Sequence, residues 1–230
     1  LADVSAIHLH PTAPLAERVV LPGDPGRALA LAQALLEAPL MFNHHRGLWG
    51  YTGTAGDGEP LTIQATGMGG PSAAIVLAEL IALGVRRAIR VGTCGALAPD
   101  LELGGLVVAR EAICADGTSR ALGAGERASA DPRLTDALMR HAPSASLGTV
   151  VSVDLFYERS GRAHPQGAVA IEMEAATLFA LGAAERAQVG CVLTVSDVFD
   201  ADGARTRIDD DTMLESAEAM GRAAIAALSE

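Results

Sequence analysis

The chain contains no lysine: all 17 of its basic residues are arginine. That absence removes the lysine of a Walker-type P-loop and any Schiff-base chemistry. Aromatic residues make up only 3% of the chain, and positive charge is outweighed, leaving a formal net charge of -11. An acidic balance of that size argues against a nucleic-acid surface, because a phosphate backbone needs a basic stripe. Small anions remain open if a few arginines converge. Cysteine is scarce too; Cys94, Cys114 and Cys191 are far apart, odd in number and set in apolar runs, which fits free buried thiols in a reducing cytoplasm. No apolar run reaches the roughly 18 residues of a membrane span and no signal peptide opens the chain, so a soluble protein is expected.

What is present is an alternation of short β-type runs with longer alanine- and leucine-rich runs over 230 residues, half of them apolar. This predicts an α/β fold, a single domain over residues 1–230 with a central mixed twisted β-sheet flanked by helices. RVVLP (Arg18 to Pro22) is a first strand, followed by a helix to about Ala38. WGYTGT and LTIQAT read as a hairpin across the turn GDGEP. Pro71 starts a helix that Gly84 ends, and Asp131 with Pro132 caps and opens another. RAIRVG, GGLVVA, LGTVVSV and GCVLTVSD are strands, while EMEAATLFALGAAERA and the run from Asp209 to Leu228 are helices. Ala121 to Ala130 and Tyr157 to Gly167 are the least regular stretches.

Four junctions fall at strand ends: PGDPGR, TGMGGPS, RVGTCGA and TVSDVFD. In an open α/β sheet, ligands collect at the carboxyl ends of strands, so these point to one composite site. Glycines let backbone N–H groups approach an anion, and a following helix N-terminus adds a favourable dipole; each junction taken alone is equally well a tight turn. Arg90 places a charge inside an apolar strand, which demands an anionic partner, either a ligand or a core carboxylate. Glu172 and Glu174 flank Met173 at a helix start, where the dipole favours carboxylates; the alternative is a bidentate acceptor for sugar hydroxyls. Asp197 ends a strand as either a cap or a general acid. His44 and His45 lack a third ligand at metal spacing, so no metal is expected, and His8 and His10 are most simply exposed.

PGDPGRA, HHRGLWGYTG, TGMGGPSAAI, IRVGTCGA, DLFY, EMEAA and TVSD occur in this order. The series resembles the nucleoside phosphorylase family that contains hexameric bacterial purine nucleoside phosphorylases and uridine phosphorylases. The resemblance implies a phosphate site from Gly23, Arg27, Arg90 and Thr93, with Arg46 contributed to a neighbouring subunit. Glu174 matches the carboxylate that holds the ribose hydroxyls, beside Glu172, Met173, Met68 and Ser196. Phe156 is similar to the aromatic that stacks on the base, and His8 to a histidine that reaches across a subunit interface. Asp197 matches the acid that protonates a purine, which requires it to hold a proton near neutral pH; ADGARTR offers Arg205 and Arg207 as its assistant without choosing between them.

The implied reaction is reversible attack of phosphate on C1' of a purine nucleoside, for purine salvage, with inorganic phosphate as co-substrate and no cofactor. The implied assembly is a homohexamer, a trimer of dimers. Thr93, TGMGGPS and DGTS lean toward the uridine side of the family, whose base-reading Gln and Arg cannot be aligned to Arg159, Arg162 or Gln166. A hydrolytic methylthioadenosine-type nucleosidase is a third reading, disfavoured by Arg27 and Arg90, and a non-catalytic nucleoside-binding protein a fourth.

Overall fold

A computed structural model describes residues 5–157, 167–200 and 204–230. Arg159, Arg162 and Gln166 lie outside the described residues. The elements in chain order are β1 (Arg18–Pro22), α1 (Pro25–Leu35), β2 (Glu37–Asn43), β3 (Gly50–Thr54), β4 (Pro60–Gln64), α2 (Gly70–Ala82), β5 (Arg87–Ala96), β6 (Leu106–Cys114) and α3 (Gly117–Ala121). There follow β7 (Arg127–Ser129), α4 (Pro132–His141), β8 (Ser146–Ser152), β9 (Ala170–Glu172), α5 (Ala175–Glu185), β10 (Gln188–Phe199), β11 (Arg205–Arg207) and α6 (Asp210–Leu228).

The expected mixed sheet is present. β1 pairs in parallel with β4 and β5, and β5 in parallel with β10, while the predicted β3–β4 hairpin extends the sheet antiparallel to β2 at its edge. Pairing then returns on itself, from β5 to β10, β6, β8, β9 and back to β5, so these strands close into a ring. Alternate residues of the central strands feed two cores. Val19, Leu21, Ala88, Val107 and Leu193 face α2 and α5, whereas Val20, Ile89, Val91, Val108 and Val192 face α1, α4 and α6. Burial on both faces is why these strands read as unbroken apolar runs.

Helix starts follow their sequence signals. The side chains of Asp24, Asp131 and Asp209 each accept a backbone N–H in the first turn, and Pro25 and Pro132 occupy a position whose N–H would have no partner. Gly84 lies beyond the end of α2 with φ 120°, the left-handed side that favours glycine.

Three expectations are corrected. The first helix stops at Leu35, and EAPLMFN becomes the edge strand β2, because the unpaired side of β3 offers it a ladder that propensity does not register. Glu172 belongs to β9, and the helix begins at Ala175; the strand closes the ring between β8 and β5. Ala121 to Ala130 is more ordered than expected, since Arg127–Ser129 pairs with β6. The short α3, capped by the buried Asp116, also went unpredicted.

Candidate active site

A cleft of about 670 Å³ opens where β1, β4, β5, β8, β9 and β10 end or turn. It draws in all the strand-end junctions that the sequence singled out. Of the candidate residues, Gly23, Arg27, Met68, Arg90 and Thr93 line it, as do Phe156, Glu172, Met173, Glu174, Ser196, Asp197, Arg205 and Arg207. His8 and Arg46 lie outside it.

Arg90 has the anionic partners its position demanded. Its side chain is 4% exposed; Nε donates to Glu172 Oε2 at 3.0 Å, and Nη2 pairs with Glu174 Oε2 at 2.5 Å. Burial acts to lower the guanidinium's pKa, but Glu174 and Glu172 outweigh it and raise it above the ordinary arginine value. The guanidinium lies across Gly92: a Cβ there would sit 2.6 Å from Arg90 Cζ, so only glycine admits this conformation. Residues two apart on a strand share a face, which is how one position dictates the other.

The two glutamates differ in how fully they are used. Glu172 accepts from Ser152 Oγ, Arg90 Nε and the backbone N–H groups of Glu174 and Ala175, and its side chain is wholly buried. Burial pushes its carboxyl above the usual range against the pull of Arg90. Among the described residues Glu174 holds one partner on each oxygen, the N–H of Gly69 at 2.5 Å on Oε1 and Arg90 on Oε2. Gly69 makes that approach with φ 85°, a conformation suited to glycine. Because a carboxylate oxygen accepts two hydrogen bonds, Glu174 keeps capacity on both oxygens toward the cleft.

Arg27 stands in the first turn of α1, and among the described residues its side chain hydrogen-bonds only the thioether of Met213, 3.8 Å from Nη2. Burial pushes its pKa down, Asp24 offsets this, and the like charge of Arg90 adds to the lowering. Among the described residues no carboxylate pairs with Arg27. Two guanidiniums thus face one cleft, and Arg27 has only the nearby charge of Asp24 and no paired carboxylate among the described residues, a condition an anion relieves.

At the other end, Asp197 is 5% exposed. Ser196 Oγ donates to its Oδ2 at 2.6 Å, and Arg205 Nε donates to Oδ1, also at 2.6 Å. Arg207 Nη1 is 3.8 Å away, beyond hydrogen-bond reach. The spacing did not separate the two arginines; in the structure the side chain of Arg205 is the one that reaches Asp197. Arg207 is the direct cross-strand partner of Asp197, but its side chain is 64% exposed, and the diagonal Arg205 closes on the carboxylate. Arg205 also sits 5.0 Å above the Phe156 ring. Phe156 and Phe199 are exposed around this end, and Phe199 was missed although it follows Asp197 by two residues; Met68 is an exposed lining residue next to Gly69. Cys94 lines the cleft as well; burial pushes its thiol up to about 12, so it is neutral there.

His8 is half-buried rather than exposed. Its Nδ1 lies 2.6 Å from Glu79 Oε1, and the N–H groups of His8 and Leu9 also donate to that carboxylate. Burial would raise Glu79, but His8 and these N–H groups hold it below the ordinary value. His10 is exposed and stacks on His45 at 3.8 Å. Arg46 is exposed, with φ 58°.

One cleft of this α/β fold thus gathers two guanidiniums, the partly engaged carboxylate of Glu174 and the carboxyl of Asp197 beside exposed aromatic side chains. Residues 17–229 match the model of the Phosphorylase superfamily, and the chain belongs to that family. It is 37% identical over 198 residues to the DeoD-type purine nucleoside phosphorylase of Geobacillus kaustophilus, covering 81% of this chain and 83% of the relative. It is 38% identical over 194 residues to the protein of the same name from Clostridium novyi, covering 80% and 83%.

Proposed function

We propose that the protein is a purine nucleoside phosphorylase, a phosphate-dependent pentosyltransferase. The observation that carries this is the pair of guanidiniums, Arg27 and Arg90, converging on one cleft with no carboxylate paired to Arg27 among the described residues. A phosphate dianion bound by them, with Thr93 and the backbone around Gly23, attacks C1' of the sugar as the C1'–N9 bond breaks. The open positions on Glu174 take the ribose hydroxyls. Positive charge develops on the sugar and is met by the phosphate, while Asp197 delivers a proton to N7 of the leaving base. The products are ribose 1-phosphate and free base, and each step reverses.

Arg205 is the assistant to Asp197 on this reading, and Ser196 orients the carboxyl. Met68, Met173 and Phe156 pack on sugar and base. A uridine phosphorylase is the second reading, favoured by Thr93; the purine names of the relatives weigh against it. Phosphorolysis of inosine, adenosine and uridine, each with and without phosphate, tests the proposal. Purine cleavage only in the presence of phosphate is expected; preference for uridine, or cleavage by water alone, would overturn it.

We also propose that a second copy completes the site. With Nδ1 engaged by Glu79, His8 leaves Nε2 for a substrate hydroxyl, and Ile7, Leu40, Met41 and Trp49 near His8 and Arg46 in sequence are exposed apolar residues suited to burial against another chain. A homohexamer built as a trimer of dimers follows from the family resemblance, and light scattering tests it, with a fully active monomer as the overturning result. The three buried free thiols support a cytoplasmic setting.

A further inference from the structure

We infer that Glu172 is not a nucleoside ligand but the residue that positions Arg90 for the anion, held in turn by Ser152; this rests on the phosphorylase reading. Oε1 of Glu172 accepts from Ser152 Oγ and the N–H of Ala175, and Oε2 accepts from Arg90 Nε, the N–H of Glu174 and the N–H of Ala175. A carboxylate offers about four acceptor positions, so this one has none left for a sugar hydroxyl. Its carboxylate therefore works inward although the residue lines the cleft.

What it fixes is the angle of the guanidinium. Arg90 donates to Glu172 through Nε, the atom nearest the chain, and Glu174 meets Nη2. Nη1 has no acceptor among the described residues, which makes it the edge available to an incoming anion. When substrate draws Glu174 toward the sugar, the Nε bond to Glu172 is the contact that still holds the plane of the guanidinium. Ser152 completes the brace: its hydroxyl donates to Glu172 while its oxygen accepts the N–H of Ala176, so the end of β8 ties the carboxylate to the first turn of α5. The sequence EME thus divides its labour, a fixed counter-ion at Glu172 and an exchangeable acceptor at Glu174.

The test measures inorganic phosphate binding by calorimetry and the separate KM values for phosphate and inosine in the full chain, for wild type, Glu172→Gln and Ser152→Ala, alongside thermal unfolding. Glu172→Gln is expected to weaken phosphate binding and raise the phosphate KM by roughly ten-fold, with the inosine KM within about two-fold of wild type. Ser152→Ala, which keeps the carboxylate, is expected to move the same constants by about three-fold, and it decides the matter if Glu172→Gln does not fold. Phosphate constants equal to wild type in a folded variant, or phosphate and inosine constants rising together, would overturn the inference. A wild-type chain that binds no phosphate would overturn the functional reading instead.

Discussion

The two ends of the cleft are built in different ways. At the end that holds the guanidinium of Arg90, Arg90 and Glu172 sit on strands of the closed ring and Glu174 just beyond β9, all less than a tenth exposed and held by one another and by backbone N–H groups. At the base end, Asp197 is buried but its partner Arg205 comes from the edge strand β11 and is 33% exposed, and the aromatic faces of Phe156 and Phe199 are half open. The contrast teaches where each kind of selectivity resides. A charge-binding floor has to be assembled before substrate arrives, because buried guanidiniums without acceptors are costly. On the proposed reading, the end that reads the base is made of surface elements that tolerate change.

The sharpest way to break this comparison is Arg90→Ala. It leaves Glu172 and Glu174 buried without their shared cation, and a loss of roughly 3–5 kcal/mol in denaturant unfolding is expected together with loss of phosphate binding. If stability were unchanged, the floor would not be the rigid end. Asp197→Asn attacks the other end: inosine phosphorolysis is expected to fall by about 10²–10⁴-fold while calorimetric phosphate affinity holds. Wild-type turnover in that variant would remove Asp197 as the acid.

A smaller effect is expected from Glu79→Gln, which weakens the acceptor for His8 and Leu9 and should cost roughly 1.5–3 kcal/mol at neutral pH. The folded-state pKa of Glu79 is lowered, so its contribution is present above the ordinary carboxyl pKa and lost as pH falls through the lowered value. Unfolding curves of wild type and variant should therefore converge on acidification. Next, Arg205→Ala should slow purine turnover more than Arg207→Ala, because of these two arginines Arg205 is the one that hydrogen-bonds Asp197; equal rates would erase the distinction drawn at the base end. The smallest effect is expected from iodoacetamide at neutral pH, which should leave Cys94 unmodified by mass spectrometry, since its thiol stays protonated and buried.

Much of this was legible in the sequence because it depends on local rules. Asp-Pro pairs set helix starts, alternating turns and apolar runs set the layers, and the glycine junctions set the cleft. The short pieces were not legible: β7, β9 and β11 span three residues each, too few for periodicity, and exist because a neighbouring strand offers hydrogen bonds. Phe199 and Ser152 left no signal of their own, the first lying at a strand end and the second in an ordinary strand run.

By itself, the sequence determined the kind of chemistry available: an acidic chain whose cations are arginines alone, with one arginine in an apolar strand that had to find an anion. Only the tertiary structure decided which anions Arg90 found, that Glu172 is saturated while Glu174 keeps open positions, and that Arg205 rather than Arg207 meets Asp197. The physical reason is that composition and periodicity fix what a residue needs, whereas ring closure and the packing of side chains in three dimensions fix which distant group supplies it.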